Sequence, residues 1–303
     1  MIDFQPLTLD MKPEFDRLLR RDTPRGCEYS FNNLYMWGRQ QAAFLGGHLV
    51  VLSQYDRRCI YPFPAGHGDV KPVLDAIIAD AHARGIPCCI SSMNQEECDL
   101  LESLYPGKFR FHSDRDFYDY VYDINDLAEL RGRKFQKKRN HLHKFQAAHP
   151  DYTALPLTED LMPAVQEMVD NWFAQRLAID PTEDFHLERR ALRRAFAHRK
   201  ELGMEGLVLQ EHGEILAMTM GSPLSDTTFD IHFEKAQLDV EGAYNAINLE
   251  FARYLREKYP NLRWLNREDD MGLEGLRKAK LSYNPAFLLE KYWARLWEDS
   301  DEV

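Results

Sequence analysis

The chain has 303 residues, of which 44% are hydrophobic, and a formal net charge of −11 at pH 7. This length suits one large or two ordinary domains with full cores, and the acidic balance excludes a protein that coats nucleic acid through a generally basic surface. No run of about 18 apolar residues occurs and the start, MIDFQPLTLDMKPEF, does not read as a signal peptide, so we expect a cytoplasmic protein without a transmembrane segment.

The first half of the chain alternates helices and strands. A short helix is predicted at 13–21, followed by a β-hairpin in QAAFLGGHLVVLSQY with Gly46 and Gly47 at its turn, and by a strand in RCIYPFP. The apolar spacing of KPVLDAIIADAHAR predicts a helix ending at Gly85, before a buried strand in IPCCIS. Asn94 is the expected N-cap of a helix in QEECDLLESLY, and FRFH and FYDYVYDI are predicted strands.

A similar order recurs at greater length from residue 159 onward. Two helices are predicted in EDLMPAVQEMVDNWFAQRLAI and LERRALRRAFAHRKEL. GLVLQE and ILAMTMGS flank a hairpin turn at His212 and Gly213, and the alternation of TTFDIHFEKA predicts a strand with Asp230, His232 and Glu234 on one side. The order ends with a helix in EGAYNAINLEFARYLREKY, a strand in LRWLN, a helix in GLEGLRKAKLSY, and PAFLLEKYWARLW, which is expected to close this sheet.

Two helices, an antiparallel meander and then strand, helix and strand are the order typical of a GNAT-type acyltransferase. Two copies in tandem fill the length. The predicted fold class is therefore α/β (α+β), with tandem GNAT-like (acyl-CoA N-acyltransferase-like) domains whose mixed sheets are flanked by helices. We expect an N-terminal domain at 1–128 and a C-terminal domain at 129–303, opened by a basic helix at 129–146.

Three segments in the same order carry a resemblance to a known family, namely RGRKFQKKRNHLHKF, FEKAQLDVEGAYNAIN and NREDDMGLEGLRKAKLSYNP. Over roughly residues 20–295 the chain resembles the bacterial proteins related to the C-terminal domain of phosphatidylglycerol lysyltransferase. The resemblance implies a tandem GNAT fold shared with the Fem-type peptidoglycan aminoacyltransferases, which take the aminoacyl group from a charged tRNA. The lysyltransferase proper has a transmembrane half that is not expected here, so the resemblance supports the fold more than a membrane-lipid substrate.

The turn before EGAYNAIN's helix is the predicted place for a phosphorylated donor, because N–H groups at a helix N-terminus bind anions. Gly242 fits this turn, with Tyr244 just after it. An ordinary GNAT pyrophosphate loop has Gln or Arg, two residues, Gly, any residue, then Gly or Ala, whereas Asp239 and Glu241 stand in this stretch. Their charges would repel a diphosphate by about 1 kcal/mol each, which disfavours acyl-CoA without excluding it. Alternatively, Gly242 only permits a tight turn.

Five polar residues, NREDD at 266–270, follow the second central strand, where open α/β sheets place their ligand crevice. An amine that attacks an acyl ester must lose a proton, which a nearby carboxylate or imidazole can accept. The candidate bases are Glu234, Glu268, Asp270 and His232, and Asn266 is expected to bind ligand. The acids could instead simply cap the helix that follows.

Lys280, on that following helix, is expected to neutralise a phosphate or carboxylate of the donor or acceptor, although cations also favour helix C-termini for their dipole. No metal site is predicted, since no His or Cys accompanies the acids at ligand spacing. The five cysteines include only one adjacent pair, Cys88 and Cys89, and are expected to be reduced and mostly buried.

A basic segment at 131–144 carries seven Lys or Arg residues and no acid, against the acidic balance of the whole chain. As a helix it would place Phe135, Leu142 and Phe145 along one edge, so we expect it to dock by this edge. Its candidate anion-binding residues are Arg133, Lys134, Lys138, Arg139 and Asn140. The alternative is an ordinary solvated helix face.

Two functions of different class fit these features. In the first, the protein transfers an aminoacyl group from aminoacyl-tRNA, or an acyl group from acyl-CoA, to an amine or hydroxyl of a small molecule, lipid or peptide, and the basic segment binds the donor, with a tRNA acceptor end as a candidate partner. No cofactor beyond these donors is predicted. In the second, the protein is a non-catalytic GNAT-fold binding or regulatory module whose altered turn no longer holds a donor. The sequence specifies neither the acceptor nor the oligomeric state.

Overall fold

The computed structural model describes residues 1–19, 26–38, 40–55 and 58–297. The α-helices within them are α1 Lys12–Leu19, α2 Phe31–Trp37, α3 Lys71–Arg84, α4 Gln95–Leu104, α5 Ile124–Glu129, α6 Gln136–Ala148, α7 Met162–Ile179, α8 His186–Ala197, α9 Ala243–Lys258 and α10 Glu274–Leu281. The strands are β1 Gln5–Pro6, β2 Gln40–Leu45, β3 His48–Tyr55, β4 Arg58–Pro62, β5 Ala65–Gly66, β6 Cys89–Met93, β7 Phe109–Ser113, β8 Asp119–Asp123, β9 Thr153–Pro156, β10 Glu205–Glu211, β11 Glu214–Pro223, β12 Thr228–Ala236, β13 Trp264–Asn266, β14 Phe287–Leu289 and β15 Tyr292–Leu296.

The described residues fall into two compact units. The first unit takes its residues from Met1–Asp119, Asp269–Gly272 and Leu289–Val303, and the second from Tyr120–Glu268 and Leu273–Leu288. The predicted domain boundary at 128 lies within α5 of the second unit, whereas the chain first passes from one unit to the other after Asp119.

The first unit is built on a sheet with the strand order β1-β2-β3-β4-β6-β15-β7, and β5 pairs with β3. The predicted hairpin is β2 and β3. Helix α3 ends at Gly85, whose φ of +66° is the left-handed conformation that glycine adopts most readily. Helix α4 begins with a capping box, in which the Asn94 side chain accepts from the Glu97 backbone and the Glu97 side chain accepts from the Asn94 backbone. Both predicted helix ends are therefore confirmed.

The last strand of the chain belongs to the first unit, which corrects the prediction that PAFLLEKYWARLW closes the second sheet. Only Phe287–Leu289 lies at the edge of the second sheet, beside β8. Tyr292–Leu296 pairs antiparallel with both β6 and β7, and Ala294 is fully buried there. The strand lies between β6 and β7, and its own short pattern does not specify these partners.

The second unit has a sheet with the order β14-β8-β13-β12-β11-β10-β9. The strands β12 and β13 are parallel, and the pairs on either side of them are antiparallel. The predicted hairpin turn joins β10 to β11 through His212 and Gly213, both with positive φ, as a tight two-residue hairpin turn requires. This prediction is confirmed.

The basic segment packs against the core of the second unit. Its second part is α6, and the apolar edge of Phe135, Leu142 and Phe145 is buried together with residues of α9 such as Ile247 and Phe251. The prediction that the segment docks by an apolar edge is confirmed.

Several short elements were missed from the sequence. They include α2, α5, β1, β5 and β9, each of seven residues or fewer, too short for the helical or strand period to be recognised. The first predicted helix, at 13–21, corresponds to Lys12–Leu19, and the last two residues of that prediction lie outside the described residues. No helix in the described part of the chain is long and apolar enough to cross a membrane.

Candidate active site

The parallel strands β12 and β13 separate partway along the second sheet. Their register begins with Thr228 opposite Trp264 and ends with Asp230 opposite Asn266, the last residue of β13. The remainder of β12, as far as Ala236, extends beyond its parallel partner. Open α/β sheets bind ligands at the carboxyl ends of such strands, so the polar side chains that follow this point are the candidate site.

A β-bulge interrupts β12 just after the strands separate. Along the antiparallel pair with β11, Met220 lies opposite Phe233 and Gly221 lies opposite Ile231. His232 is therefore the extra residue on β12. A bulge of this kind breaks the strict alternation of side chains between the two faces of a sheet.

The bulge corrects the prediction that Asp230, His232 and Glu234 share one side. His232 contacts Asp230 and Glu268, whereas Glu234 pairs with Arg267. The consecutive residues Arg267 and Glu268, the latter with a left-handed φ of +56°, thus contact different residues of β12. The structure thus makes two separate polar clusters from residues that the sequence placed in one.

The first cluster is centred on a buried ion pair. Arg267 Nη2 donates to Glu234 Oε1 over 2.9 Å, and the two side chains are 14% and 12% exposed. Nη1 of Arg267 is buried and has no hydrogen-bond partner among the described residues. Its guanidinium carbon lies 5.1 Å from the ring centre of Tyr283 and 5.8 Å from that of Tyr122. Burial acts to lower the pKa of Arg267, but the attraction of Glu234 prevails and raises it, so the guanidinium stays charged.

Lys138 of α6 brings a second cation to this cluster. Its Nζ lies 3.7 Å from the ring centre of Tyr283, within the range of a cation–π interaction. Burial and the positive charge of Arg267 lower the pKa of Lys138 to about 8, against the opposing attraction of Glu234. Lys138 is therefore mostly charged at neutral pH and loses its charge just above it.

Hydrogen bonds fix the two tyrosine rings that flank the ion pair. Asn245, in the first turn of α9, donates from Nδ2 to the Tyr283 hydroxyl over 2.9 Å, and the Tyr122 hydroxyl donates to the carbonyl of Lys280 over 2.9 Å. Burial raises the pKa of both tyrosines, so both keep their protons. The cluster is consequently rigid, with its cations held on aromatic rings.

Lys280 and Asn266 hold the segment after β13 in place. Lys280 Nζ donates to the carbonyl oxygens of Arg267, at 2.5 Å, and Glu268, at 3.2 Å. The fully buried Asn266 side chain accepts from the backbone N–H of Glu268 over 2.7 Å. Both side chains thus position the ion-pair residue Arg267, and the expectation that they contact a ligand stays a prediction.

The second cluster surrounds His232. Its Nε2 lies 2.8 Å from Ser222 Oγ, and its Nδ1 lies 3.2 Å from Glu268 Oε1 and 3.6 Å from Asp230 Oδ2. The imidazole is oriented from both sides, as a base or a metal ligand requires. Ligand atoms of Asp230, His232 and Glu268 lie within 4.8 Å of one another, an arrangement of metal-ligating types that the sequence interpretation did not foresee.

Asp270, the fourth candidate base, lies in the first unit. It is fully buried, and its carboxylate accepts from Arg115 Nη1 over 3.1 Å and from the backbone N–H of Gly272 over 2.9 Å. Its proposed role as a base stays a prediction.

Gly242 permits a close contact between α9 and α6. It has a φ of +85°, and a Cβ atom at this position would lie 2.6 Å from the backbone oxygen of His141 and 3.0 Å from Phe145 Cβ. The alternative that Gly242 permits a tight turn thus has a physical basis. Donor binding at this turn stays a prediction. Tyr244 is 37% exposed, and its hydroxyl accepts from Trp172 Nε1 over 3.1 Å.

Replacing Gly242 by alanine is expected to lower the free energy of unfolding by about 2 to 4 kcal/mol, because the substitution adds left-handed strain and a backbone clash. The matched control is Gly213→Ala, since Gly213 has a φ of +89° but nothing within 4 Å of an added Cβ. Urea unfolding of both variants measures the difference. Equal losses would contradict the close approach of α6.

Most cations of the basic segment are paired with neighbouring groups. Lys134 bonds to Asp126 over 2.6 Å, Lys144 lies 3.1 Å from Glu241, and Arg139 Nη1 donates to the carbonyl groups of Leu130 and Gly132. Arg133 and Asn140 are exposed. Among the predicted anion-binding residues of this segment, Lys138 alone reaches the ion-pair cluster, as far as the described contacts show.

Sequence reasoning missed four members of the first cluster as site residues, namely Arg267, Tyr283, Asn245 and Tyr122. Arg267 stands within the polar run NREDD and Asn245 within EGAYNAIN, so both lie in segments that the sequence had already marked as candidate binding regions. The two tyrosines lie in apolar patterns that read as core. A tyrosine in such a pattern shows a cation-binding role only when the fold places a cation on its ring.

The second unit, a mixed sheet with one short parallel pair flanked by helices, has a GNAT-like fold. A sequence model described as phosphatidylglycerol lysyltransferase, C-terminal, matches residues 20–295. The chain therefore belongs to this family, and the predicted resemblance and fold class are confirmed.

Solved structures agree with this assignment. A conserved protein of unknown function from Bacteroides thetaiotaomicron is 38% identical, with a TM-score of 0.92 over 98% of this chain and 100% of that one. The L-PGS structure from Bacillus licheniformis is 16% identical, with a TM-score of 0.70 over 98% of this chain and 94% of that one, which shows the shared fold.

One curated relative also matches, an uncharacterised protein of Mycoplasmoides gallisepticum that is 23% identical over 209 residues. The match covers 68% of this chain and 64% of the relative. The chain thus spans somewhat less than two thirds of the length of that protein, and the match assigns no activity to it.

Proposed function

We propose that the protein transfers an aminoacyl group, carried as an ester on tRNA, to an amine or hydroxyl acceptor, and that the reaction takes place in the second unit beside Glu234 and Arg267. The observation that carries this proposal is the buried ion pair at the point where β12 and β13 separate. The family description, which names a lysyl transfer, supports the aminoacyl group.

The reaction requires one proton to be moved. The acceptor nitrogen or oxygen attacks the carbonyl carbon of the ester, a new C–N or C–O bond forms, and the bond from the carbonyl carbon to the ribose oxygen breaks. The attacking atom loses a proton and the departing ribose oxygen gains one. Glu234 is the proposed proton acceptor, and Arg267 holds its carboxylate in one orientation.

The alternative base is His232, with Glu268 beside it, on the other face of β12. The His232 ring is almost fully buried, with its side chain 1% exposed, whereas the Glu268 side chain is 21% exposed. We place the reaction at the Glu234 cluster because two cations, Lys138 and Arg267, lie against Tyr283 there and can hold an anionic substrate.

A tRNA donor is favoured over acyl-CoA by the turn at Gly242. The turn is in contact with the α6 backbone, and Glu241 beside it is exposed and pairs with Lys144. A pyrophosphate at this turn would have to compete with Glu241 for Lys144. A tRNA acceptor end can instead approach through contacts to single phosphates elsewhere in the unit.

The donor class is tested by binding. Fluorescence anisotropy with labelled aminoacyl-tRNA, carrying a non-hydrolysable amide in place of the ester, is measured at several salt concentrations, and acetyl-CoA binding is measured by calorimetry. We expect the tRNA affinity to fall by about a hundredfold or more between about 50 and about 200 mM salt, because several counterions are released. Tight acetyl-CoA binding with no measurable tRNA binding at low salt would contradict the proposal.

A further inference from the structure

We infer that the second unit contains a binding site for an oxyanion, a carboxylate or a phosphate group of a ligand, held between the ammonium of Lys138 and the guanidinium of Arg267. The inference deepens the proposed function and rests on it only where the anion is taken to be part of a substrate.

The charges around Tyr283 do not balance. Lys138 and Arg267 both lie against its ring, at 3.7 and 5.1 Å from the ring centre, and Glu234 is the carboxylate that pairs with Arg267. The tyrosines beside them are uncharged. Two cations and one carboxylate leave a half-buried region with one excess positive charge, which a bound anion would compensate.

An unused hydrogen-bond donor points to the same ligand. Arg267 Nη2 is occupied by Glu234, but Nη1 is buried and has no partner among the described residues. A buried guanidinium N–H without an acceptor costs free energy, so such groups are nearly always paired in folded proteins. An oxyanion would supply the acceptor as well as the charge, since guanidinium groups bind carboxylates and phosphates through parallel N–H groups.

Lys138 differs in its surroundings from the other cations of its segment. Lys134, Arg139 and Lys144 have nearby acceptors in Asp126, two backbone carbonyl groups and Glu241, respectively. The charged and titratable groups that face Lys138 from other elements are Arg267, Glu234 and Tyr283. Within the described parts of the chain, one carboxylate, that of Glu234, faces these two cations, and it is already bonded to Arg267.

The affinity of this site should depend on pH in a definite direction. Because burial and Arg267 lower the pKa of Lys138 to about 8, its ammonium loses its proton as the pH rises through that value. Anion binding is therefore strongest below the pKa and weakens above it. Bound anion in turn raises the pKa of Lys138, so binding near pH 8 takes up protons from the buffer.

The experiment uses two probes whose own charges do not change above pH 6.5. Sulfate represents a tetrahedral phosphate and acetate represents a planar carboxylate. Their binding to the full chain is measured by calorimetry at pH 7 and pH 9.5, each in two buffers of different ionisation enthalpy. We expect at least one probe to bind about tenfold or more weakly at pH 9.5 than at pH 7, because only protein with protonated Lys138 binds the anion tightly.

Three variants assign the effect to Lys138. Lys138→Met is expected to lose most of the affinity at pH 7, and Lys138→Arg to keep it and to bind equally well at both pH values. Lys137→Met removes the same charge from an exposed neighbour on α6 and is expected to behave as the wild type. The probe that binds more tightly identifies the ligand chemistry as phosphate or carboxylate.

Binding that is the same in Lys138→Met and Lys137→Met, or a flat pH profile in the wild type, would overturn the inference. The outcome is independent of the transfer reaction. A protein that transfers no aminoacyl group but binds anions in this pH-dependent way would refute the proposed function and leave the anion site standing.

Discussion

Replacing Lys291 by methionine is expected to lower the free energy of unfolding of the first unit by about 3 to 5 kcal/mol, because the change removes the cation that pairs with a buried carboxylate. Lys291 Nζ lies 2.6 Å from Asp119 Oδ1 and 2.7 Å from Glu28 Oε1. Asp119 is fully buried, and Lys291 is 7% exposed. Burial acts to lower the pKa of Lys291, but the attraction of Asp119, Cys27 and Glu28 prevails and raises it well above its ordinary value.

Urea unfolding measures this loss, and two further variants give its cause. Lys291→Arg keeps the charge and should lose much less stability than Lys291→Met. In the double variant Asp119→Asn with Lys291→Met, the buried carboxylate is also removed, so we expect part of the stability to return. A double variant whose loss equals the sum of the two single losses would contradict the coupling of these residues.

Replacing Glu234 by glutamine is expected to lower the rate of aminoacyl transfer by about a hundredfold to ten-thousandfold, because the proposed proton acceptor is removed. Glutamine keeps an oxygen that can accept from Arg267, so the ion-pair geometry is disturbed little. The rate is measured in single-turnover reactions with charged tRNA and saturating amine. Binding of the tRNA should change by less than about threefold, since Glu234 is proposed to act on the proton and not on the phosphates.

The matched control is Glu268→Gln, which makes the same change on the other face of β12. It removes the negative charge from the contact of Glu268 with His232 and leaves the Glu234 pair in place. A loss of transfer in Glu268→Gln with a normal rate in Glu234→Gln would move the reaction to the His232 cluster. Thermal unfolding of both variants checks that each is folded.

Local sequence signals predicted most single elements of this fold. One or two residues were enough to predict the helix end at Gly85, the N-cap at Asn94 and the turn at His212 and Gly213. Capping and positive φ depend on the chemistry of these residues alone. The destination of the last strand was predicted wrongly. Tyr292–Leu296 pairs with β6 and β7, which lie far from it along the chain, and no local pattern specifies such a partner.

The candidate site was foreseen in part for the same reason. The polar run after β13 and the basic segment were recognised as places of interest, but the bulge at His232 is a property of pairing between two strands. Regular alternation without a bulge places Glu234 and His232 on one face, which is why the sequence predicted them on the same side. The low pKa of Lys138 also depends on the burial of its side chain and on Arg267, which lies far away in the chain.

The chemistry itself can be followed by the alkali stability of a label. Transfer RNA charged with radioactive amino acids is incubated with the protein and a mixture of simple amines, and the label is followed from the ester, which alkali cleaves, to an amide, which alkali leaves intact. We expect the wild type to convert the label to amide faster than the ester hydrolyses by itself, and Glu234→Gln to lose this conversion. If all of the label instead appears as free amino acid at the spontaneous rate, with every amine tested and with the wild type fully folded, aminoacyl transfer to an amine is not what this protein does.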